Sequence, residues 1–496
     1  MEVEGFNMRP KPKSTGNQVT KVGPSLLTRE AGGDGISRRS FMKTAGLLGA
    51  GAALAACLPG GSSTAGPASA ARRGGGINVI NFFTTEDDPV TQVAANKAIA
   101  AFEAAHPGTH VVMILMSNEE RDQRVTAGLS AGQDLGVFEV ATYQRDSYID
   151  SGYLYPLDSI VNATGASQFA AGTRVVQNGH DWLFPYAIAP HVLWGRRDRV
   201  PTIPTTWQDF LAASKSSTGG GLYGAGFCTG TARAFDLTFP AFIWGQGGDY
   251  FDPQGNVVFG SDQARQGIQN YIDLLKYCPP DSSNWAVADV LKAYWSGRCA
   301  MGHFNGRMGD NMSKAAPQLE GITWASHVPT GPISVASSAL SYLGVDAKGA
   351  NPELAAEFVK FLLTGSFAVE YANSGPGVLA PVVSSVRDAS LTDTSNPLIT
   401  KHADWFKAID KEIPISIDVG GPMGQMATGT YKPYDGPGCP WAGTAWNDNA
   451  IDMQMIQKIV LGGMSVGGAQ AWAVDQYKGI VKDYKNQHPS WKPFSG

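Results

Sequence analysis

Between Ile77 and Thr142 the apolar residues switch repeatedly between two spacings, and this alternation limits the fold more than any other feature of the chain. Ile77-Asn78-Val79-Ile80-Asn81-Phe82-Phe83 is a short apolar-rich run of the kind that forms a buried strand. From Val90 to His106 the spacing puts Ala95, Ile99 and Phe102 on one helical face, and Pro107-Gly108 stops the helix. His110 to Leu115 reads as a second strand, Asn118 to Ala131 as a second helix, and Val137 to Thr142 as a third strand. Strands alternating with helices predict a parallel sheet inside an α/β lobe. A chain of 496 residues is too long for one such core, since domains usually hold about 100–200 residues. Two lobes are expected.

The later chain adds helices. Asn351-Pro352-Glu353 supplies a cap and a proline at the first helical position, and Leu354, Phe358, Phe361 and Leu362 then form a core-facing stripe. The segments Asn449 to Leu461 and Gly467 to Tyr484 read as two more helices. Hydrophobic residues at 43% and charged residues at 16% leave ample material for packed cores. No block of like charge suggests an arm for nucleic acid. The net charge of -5 is uneven, with a basic front and an acidic remainder after Cys57, which disfavours nucleotides as ligands.

The front of the chain reads as an address. Ser37-Arg38-Arg39-Ser40-Phe41-Met42-Lys43, followed by an uncharged run to Cys57, resembles the twin-arginine export signal. The run is about half the ~20 residues needed to cross a bilayer, so it reads as the apolar part of a signal peptide. Leu54-Ala55-Ala56-Cys57 resembles the lipobox of bacterial lipoproteins, in which Cys57 becomes the lipidated mature N-terminus. Residues 58–76, rich in Gly, Ser, Ala and Pro, form a flexible tether with a reach of roughly 25 Å. The expected location is therefore extracytoplasmic, anchored to the cell membrane through lipid.

Cys228, Cys278, Cys299 and Cys439 follow the tether, and an even number in an exported protein permits disulfides with three connectivities. A Cys278–Cys299 bridge is the expectation. The absence of any CxxC pair or HExxH, and of a ligand-spaced histidine cluster, points to no metal and no cofactor.

From Ile77 to about Tyr484 the order of motifs resembles the family of extracellular solute-binding proteins that includes the maltose-binding type. Ala101-Phe102-Glu103-Ala104-Ala105-His106-Pro107-Gly108 is similar to its opening helix end, and Gly152-Tyr153-Leu154-Tyr155-Pro156-Leu157-Asp158 to its loop ending in Pro-Leu-Asp. Trp182-Leu183-Phe184-Pro185-Tyr186 resembles its strand crossing between lobes, and Pro204-Thr205-Thr206-Trp207 its helix start. Ser296-Gly297-Arg298-Cys299-Ala300-Met301-Gly302 and Asn351 to Leu363 continue the match, as does Gly462 to Ala471. Two places depart from the pattern. Gly132-Gln133-Asp134-Leu135-Gly136 lacks the usual proline, and Asn305-Gly306-Arg307 stands where an aromatic residue often follows the Ala-Met strand.

The resemblance implies a fold of the type II periplasmic-binding-protein class, two α/β lobes with a hinge and a ligand cleft between them. Residues 77–188 with 327–382 would form one lobe, and 189–326 with 383–496 the other, linked at Tyr186 and around Ala339 to Gly344. The implied function is capture of a small hydrophilic solute, a sugar, oligosaccharide or polyol, by a monomer that delivers it to the transmembrane subunits of an ABC permease. A sugar needs aromatic faces and planar polar side chains. Tyr186, Tyr143, Trp244, Tyr342 and Trp441 are candidates for the first; Glu86, Asp87, Gln144, Asn305 and Arg307 for the second. Arg307 is the residue able to shift the solute class, since a guanidinium can grip a carboxylate or phosphate.

Catalytic patterns occur in the wrong context. Gly128-Leu129-Ser130-Ala131-Gly132 and Gly463-Met464-Ser465-Val466-Gly467 fit GxSxG, yet neither serine lies between a strand and a following helix. Gly219-Gly220-Gly221-Leu222-Tyr223-Gly224 fits GxGxxG but follows a helix, the reverse of a dinucleotide fingerprint. A binding protein, not an enzyme, is expected; a secreted glycan-active enzyme or a receptor without transport are the alternatives.

Overall fold

Ile80, Phe82 and Phe83 are buried along the first strand, β1 (Asn78–Thr84). The Asp88 side chain accepts from Val90 N, and Pro89 at the first helical position starts the helix Pro89–Ala105, which buries Ala95, Ile99 and Phe102. β2 (Thr109–Leu115) follows. Ser117 and Glu120 close a reciprocal capping box on the helix Asn118–Ser130, which leads to the wholly buried β3 (Val137–Ala141). These are the elements that the alternating pattern predicts, within a residue or two.

The computed structural model describes residues 77–230, 235, 237–426 and 429–493. All belong to one unit, Ala70–Gly496. Arg38, Arg39, Cys57 and the tether 58–76 lie outside the described residues.

The chain continues through a hairpin of β4 (Val176–Gln177) and β5 (His180–Asp181) into β6 (Phe184–Pro190). β7 (Val192–Arg196), β8 (Tyr223–Gly226), β9 (Cys299–Phe304) and β10 (Thr323–Ser326) come next. β11 (Ala336–Val345), β12 (Ala380–Pro381) and β13 (Ser416–Ile417) complete the set.

One sheet has the order β12-β6-β11-β3-β1-β2, with β13 on β11; the other runs β10-β7-β9-β8. β2, β1 and β3 are mutually parallel, whereas β11 pairs antiparallel with both β3 and β6. The parallel sheet read from the sequence is thus a mixed one. Phe82, Phe102, Phe138, Phe184 and Phe358 fill the first core, with Phe102 edge-on to Phe358 at 5.2 Å. A second core gathers Phe242, Tyr250, Tyr271 and Trp441, and a third packs Trp194 against Trp405.

The chain passes from the first sheet to the second at His191, the single residue between β6 and β7, and returns through 327–335 before β11. His191 N donates to Ser337 O at 2.8 Å, so the first crossing is braced against the start of β11. The linkers expected at Tyr186 and Ala339 to Gly344 therefore shift. Both segments are paired within the first sheet, where Ala339 faces Ala189 and Leu343 faces Phe184.

Two further expectations need correction. Asn351 makes no cap with its side chain, whose amide donates to Asn78 Oδ1 instead. Cys278 and Cys299, like Cys228 and Cys439, are buried, and no Cys278–Cys299 bridge forms. Cys278 Sγ is turned towards Leu274 O at 3.7 Å, and Cys299 Sγ packs close against Gly226. Burial pushes the Cys299 thiol up to about 12.

Candidate functional site

β1 and β3 run side by side, with Phe82 opposite Val137 and Phe83 opposite Phe138. The residues that follow each strand, Thr84 to Asp87 and Thr142 to Gln144, therefore emerge along one edge, the carboxyl edge where α/β sheets present ligand-binding loops. A carboxylate stands in the middle of this edge. Glu139, buried within β3, accepts from Thr84 Oγ1 at 2.5 Å, Thr85 N at 2.9 Å and Thr85 Oγ1 at 2.6 Å. Three donors offset the cost of burying its charge.

Beside it, half-buried Glu86 receives Tyr186 Oη at 3.4 Å. Burial first, and the Glu139 charge second, push the Glu86 carboxyl up to about 8, against the opposing pull of Arg307 and the Tyr186 hydroxyl. Burial likewise holds the Tyr186 hydroxyl well above its ordinary range. Arg121, in the first turn of the helix after β2, continues the array. Its Nε donates to Asp122 Oδ1 at 2.8 Å and its Nη2 to Tyr143 Oη at 3.2 Å, while Tyr143 Oη donates to Asp122 Oδ2 at 2.5 Å. Burial works against the Arg121 charge, but Asp122, Tyr143 and Glu139 outweigh it and raise its pKa.

The opposite wall comes from the second sheet. After β9, Asn305 is 6% exposed and its Oδ1 accepts from Arg307 N at 3.0 Å. Gly306 N donates to Gly377 O at 3.1 Å. Any Cβ at Gly306 would lie 2.5 Å from that backbone, so only glycine lets this turn press against the segment after the helix Ser366–Ser374. The close approach delivers Arg307, exposed at the start of the helix Arg307–Ala315, to within electrostatic range of Glu86.

Glu86, Asp87, Tyr186, Asn305 and Arg307 are thus brought together, and Tyr143 joins them through Arg121. Gln144 sits beside Tyr143, half-buried, with its Oε1 lacking a hydrogen-bond partner among the described residues. Trp244 is buried in the second core, where its indole hydrogen-bonds Asp249 and its ring borders a small cavity shared with Asp418 and Gln425. Tyr342 and Trp441 stand apart from the group. Tyr342 is fully buried in β11, its hydroxyl taken by Arg145 Nη1 at 3.0 Å, and Trp441 is packed between Phe251 and Trp491. Their aromatic surface is used in packing. Arg121, Asp122 and Glu139 are additions from the structure; a lone carboxylate inside the apolar run of β3 was the visible signal for one of them.

Neither GxSxG serine is a nucleophile elbow. Ser130 ends a helix, and Ser465 caps one by accepting from Gly468 N.

A profile of the bacterial extracellular solute-binding proteins matches residues 88–364, more than half of the chain. The chain belongs to that family. A curated binding protein of Brucella abortus (strain 2308) is 21% identical over 243 residues, which is 47% of this solute-binding protein and 59% of the relative. Among solved structures, the maltose-bound MalE3 of T. maritima superposes with a TM-score of 0.66 at 18% identity, covering 81% of this chain and 99% of that one. The GacH receptor of Streptomyces glaucescens GLA.O, solved unliganded and with acarbose, gives 0.66 at 17% identity over 82% of this chain and 100% of its own. A solute-binding protein of Agrobacterium vitis S4 with bound D-mannitol gives 0.63 at 17%, over 82% and 99%. These likenesses establish the two-lobed α/β fold of this solute-binding protein.

Proposed function

We propose that this protein is the extracytoplasmic solute-binding component of an ABC import system, taking a sugar, oligosaccharide or polyol into the cleft and delivering it to the permease. One observation carries the reading: hydrogen-bonding side chains, Glu86, Glu139, Arg121, Asp122 and Tyr143, gather at the strand ends of the first sheet, with Arg307, which follows β9 of the second, within electrostatic range of Glu86. Such an array suits a hydroxyl-rich ligand, whose buried hydroxyls each need a partner. The maltose, acarbose and D-mannitol held by proteins of the same fold support it. Residues 77–188 with 327–382 are assigned to one lobe and 189–326 with 383–496 to the other, with β13 of the second set added to the first sheet beside β11. The protein acts as a monomer and binds without turnover, held at the membrane by lipid on Cys57 after export directed by Arg38 and Arg39.

Calorimetry against a panel of sugars and polyols, paired with solution scattering, tests the assignment. Binding near micromolar affinity, about -8 kcal/mol, with compaction on loading is the expected result. Binding confined to amino acids, peptides or metal ions would overturn it.

A further inference from the structure

We propose that the solute carries an oxyanion, a carboxylate or phosphate ester on a hydroxylated frame, and that the start of the helix Arg307–Ala315 is the subsite that holds it. The proposal rests on the solute-binding reading above and names the class of solute.

Two observations place the subsite. The Arg307 guanidinium is exposed, and among the described residues no side-chain hydrogen bond or ion pair engages it, Glu86 being the carboxyl within its electrostatic range. Asn305 supplies the second. It is more than nine-tenths buried, and its Oδ1 is fixed on Arg307 N at 3.0 Å, which sets the amide nitrogen of the same side chain directly beside the helix start. That nitrogen donates to nothing among the described residues. An amide held in this way, next to a guanidinium fork and the positive end of a nine-residue helix, groups three kinds of donor within one turn of chain.

The neighbouring acids do not cancel this arrangement. Glu139 already accepts three hydrogen bonds, and Glu86, raised to about 8, is protonated near neutrality and able to donate. Asp310 and Asp88 both lie against Lys314, and Asp87 is exposed to solvent, which screens it. An anion bridging Arg307 and Asn305 would leave its hydroxyls to Glu86, Tyr186 and Tyr143 across the cleft.

The test is calorimetry of the folded protein with galacturonate, glucose 6-phosphate, neutral galactose and glucose, and cationic glucosamine. An anionic sugar should bind about ten- to a hundredfold tighter than its neutral counterpart, the scale of a charge-assisted hydrogen bond. The galacturonate and glucose 6-phosphate arms decide between carboxylate and phosphate. Arg307→Gln should abolish the preference, bringing the affinity for anionic sugars down to that for their neutral counterparts. Asn305→Asp, which keeps the cap on Arg307 N but replaces the free amide with a negative oxygen, should do the same; melting curves confirm that both variants are folded. Equal or tighter binding of neutral sugars or glucosamine by the wild type, or a preference that survives Arg307→Gln, overturns the subsite and leaves the sugar reading standing. Failure of every sugar, whatever its charge, overturns both.

Discussion

Lys314 Nζ stands 3.9 Å from Asp88 Oδ2, joining the helix that follows β9 to the residue that caps the helix after β1. The pair spans the two sheets beside Glu86 and Arg307. Both side chains are more than a third exposed, and exposed pairs contribute about 0–1 kcal/mol. Lys314→Ala should therefore weaken solute binding by no more than about fivefold at low salt and by nothing measurable at high salt. Calorimetry at two ionic strengths reads this directly. A large, salt-independent loss would mean that Lys314 touches the solute itself.

The Glu86 carboxyl gives a pH prediction. With its pKa raised to about 8 in the folded protein, the native state binds this proton more tightly than the unfolded chain does. Its contribution to stability is fully present below the ordinary carboxylate value of about 4.3 and is lost as pH rises through about 8. Glu86→Gln mimics the neutral form and should flatten that part of the curve. Melting temperatures of the two proteins, measured from about pH 5 to pH 9, should converge at the acid end and diverge in favour of the variant at the alkaline end. Parallel curves would show that Glu86 is ionised throughout.

The fold was largely legible because it rests on patterns that side-chain chemistry enforces locally. The first three strands and two helices follow from apolar spacing and from Pro107-Gly108. What spacing could not show was direction. β11 lies between β6 and β3 in antiparallel sense although well over a hundred residues of chain separate it from either strand, and the crossings at His191 and 327–335 depend on where each strand leaves its sheet. The site divides in the same way. Glu86, Asn305 and Arg307 lie just after strand ends, a position readable from sequence, whereas Tyr342 and Trp441 were chosen as aromatic residues and their burial is set by distant partners, Arg145 and Trp491. Arg121 carries no signal in the sequence because its partners Tyr143 and Glu139 lie in and after the next strand, some distance along the chain.

The export address can be tested without any ligand. Arg38→Lys combined with Arg39→Lys should leave the precursor inside the cell, and Cys57→Ala should move the exported protein from the membrane fraction to the soluble one. One acyl chain gives only marginal membrane binding, on the order of 10⁴ M⁻¹, whereas diacylation anchors stably. The shift on losing Cys57 should accordingly be complete. Fractionation that does not change in the Cys57 variant would remove the anchor.

Trp244 and Trp441 make a matched pair for separating packing from recognition. Trp441 is enclosed by Phe251, Tyr484 and Trp491, so Trp441→Ala opens a cavity and should cost about 3–5 kcal/mol of stability, with unchanged affinity in the protein that remains folded. Trp244 differs in having a cavity on one side and Asp249 as the acceptor of its indole N–H. Trp244→Phe keeps most of the ring and deletes that donor, leaving a largely buried carboxylate one hydrogen bond short, a loss of about 1–3 kcal/mol. Thermal melts should therefore show both variants weakened, Trp441→Ala the more, while calorimetry shows neither losing affinity. The contrary result, a Trp244 variant that melts normally but binds solute tenfold or more weakly, about 1.4 kcal/mol, would place the indole against the ligand and extend the site from Tyr143 into the cavity beside Asp418.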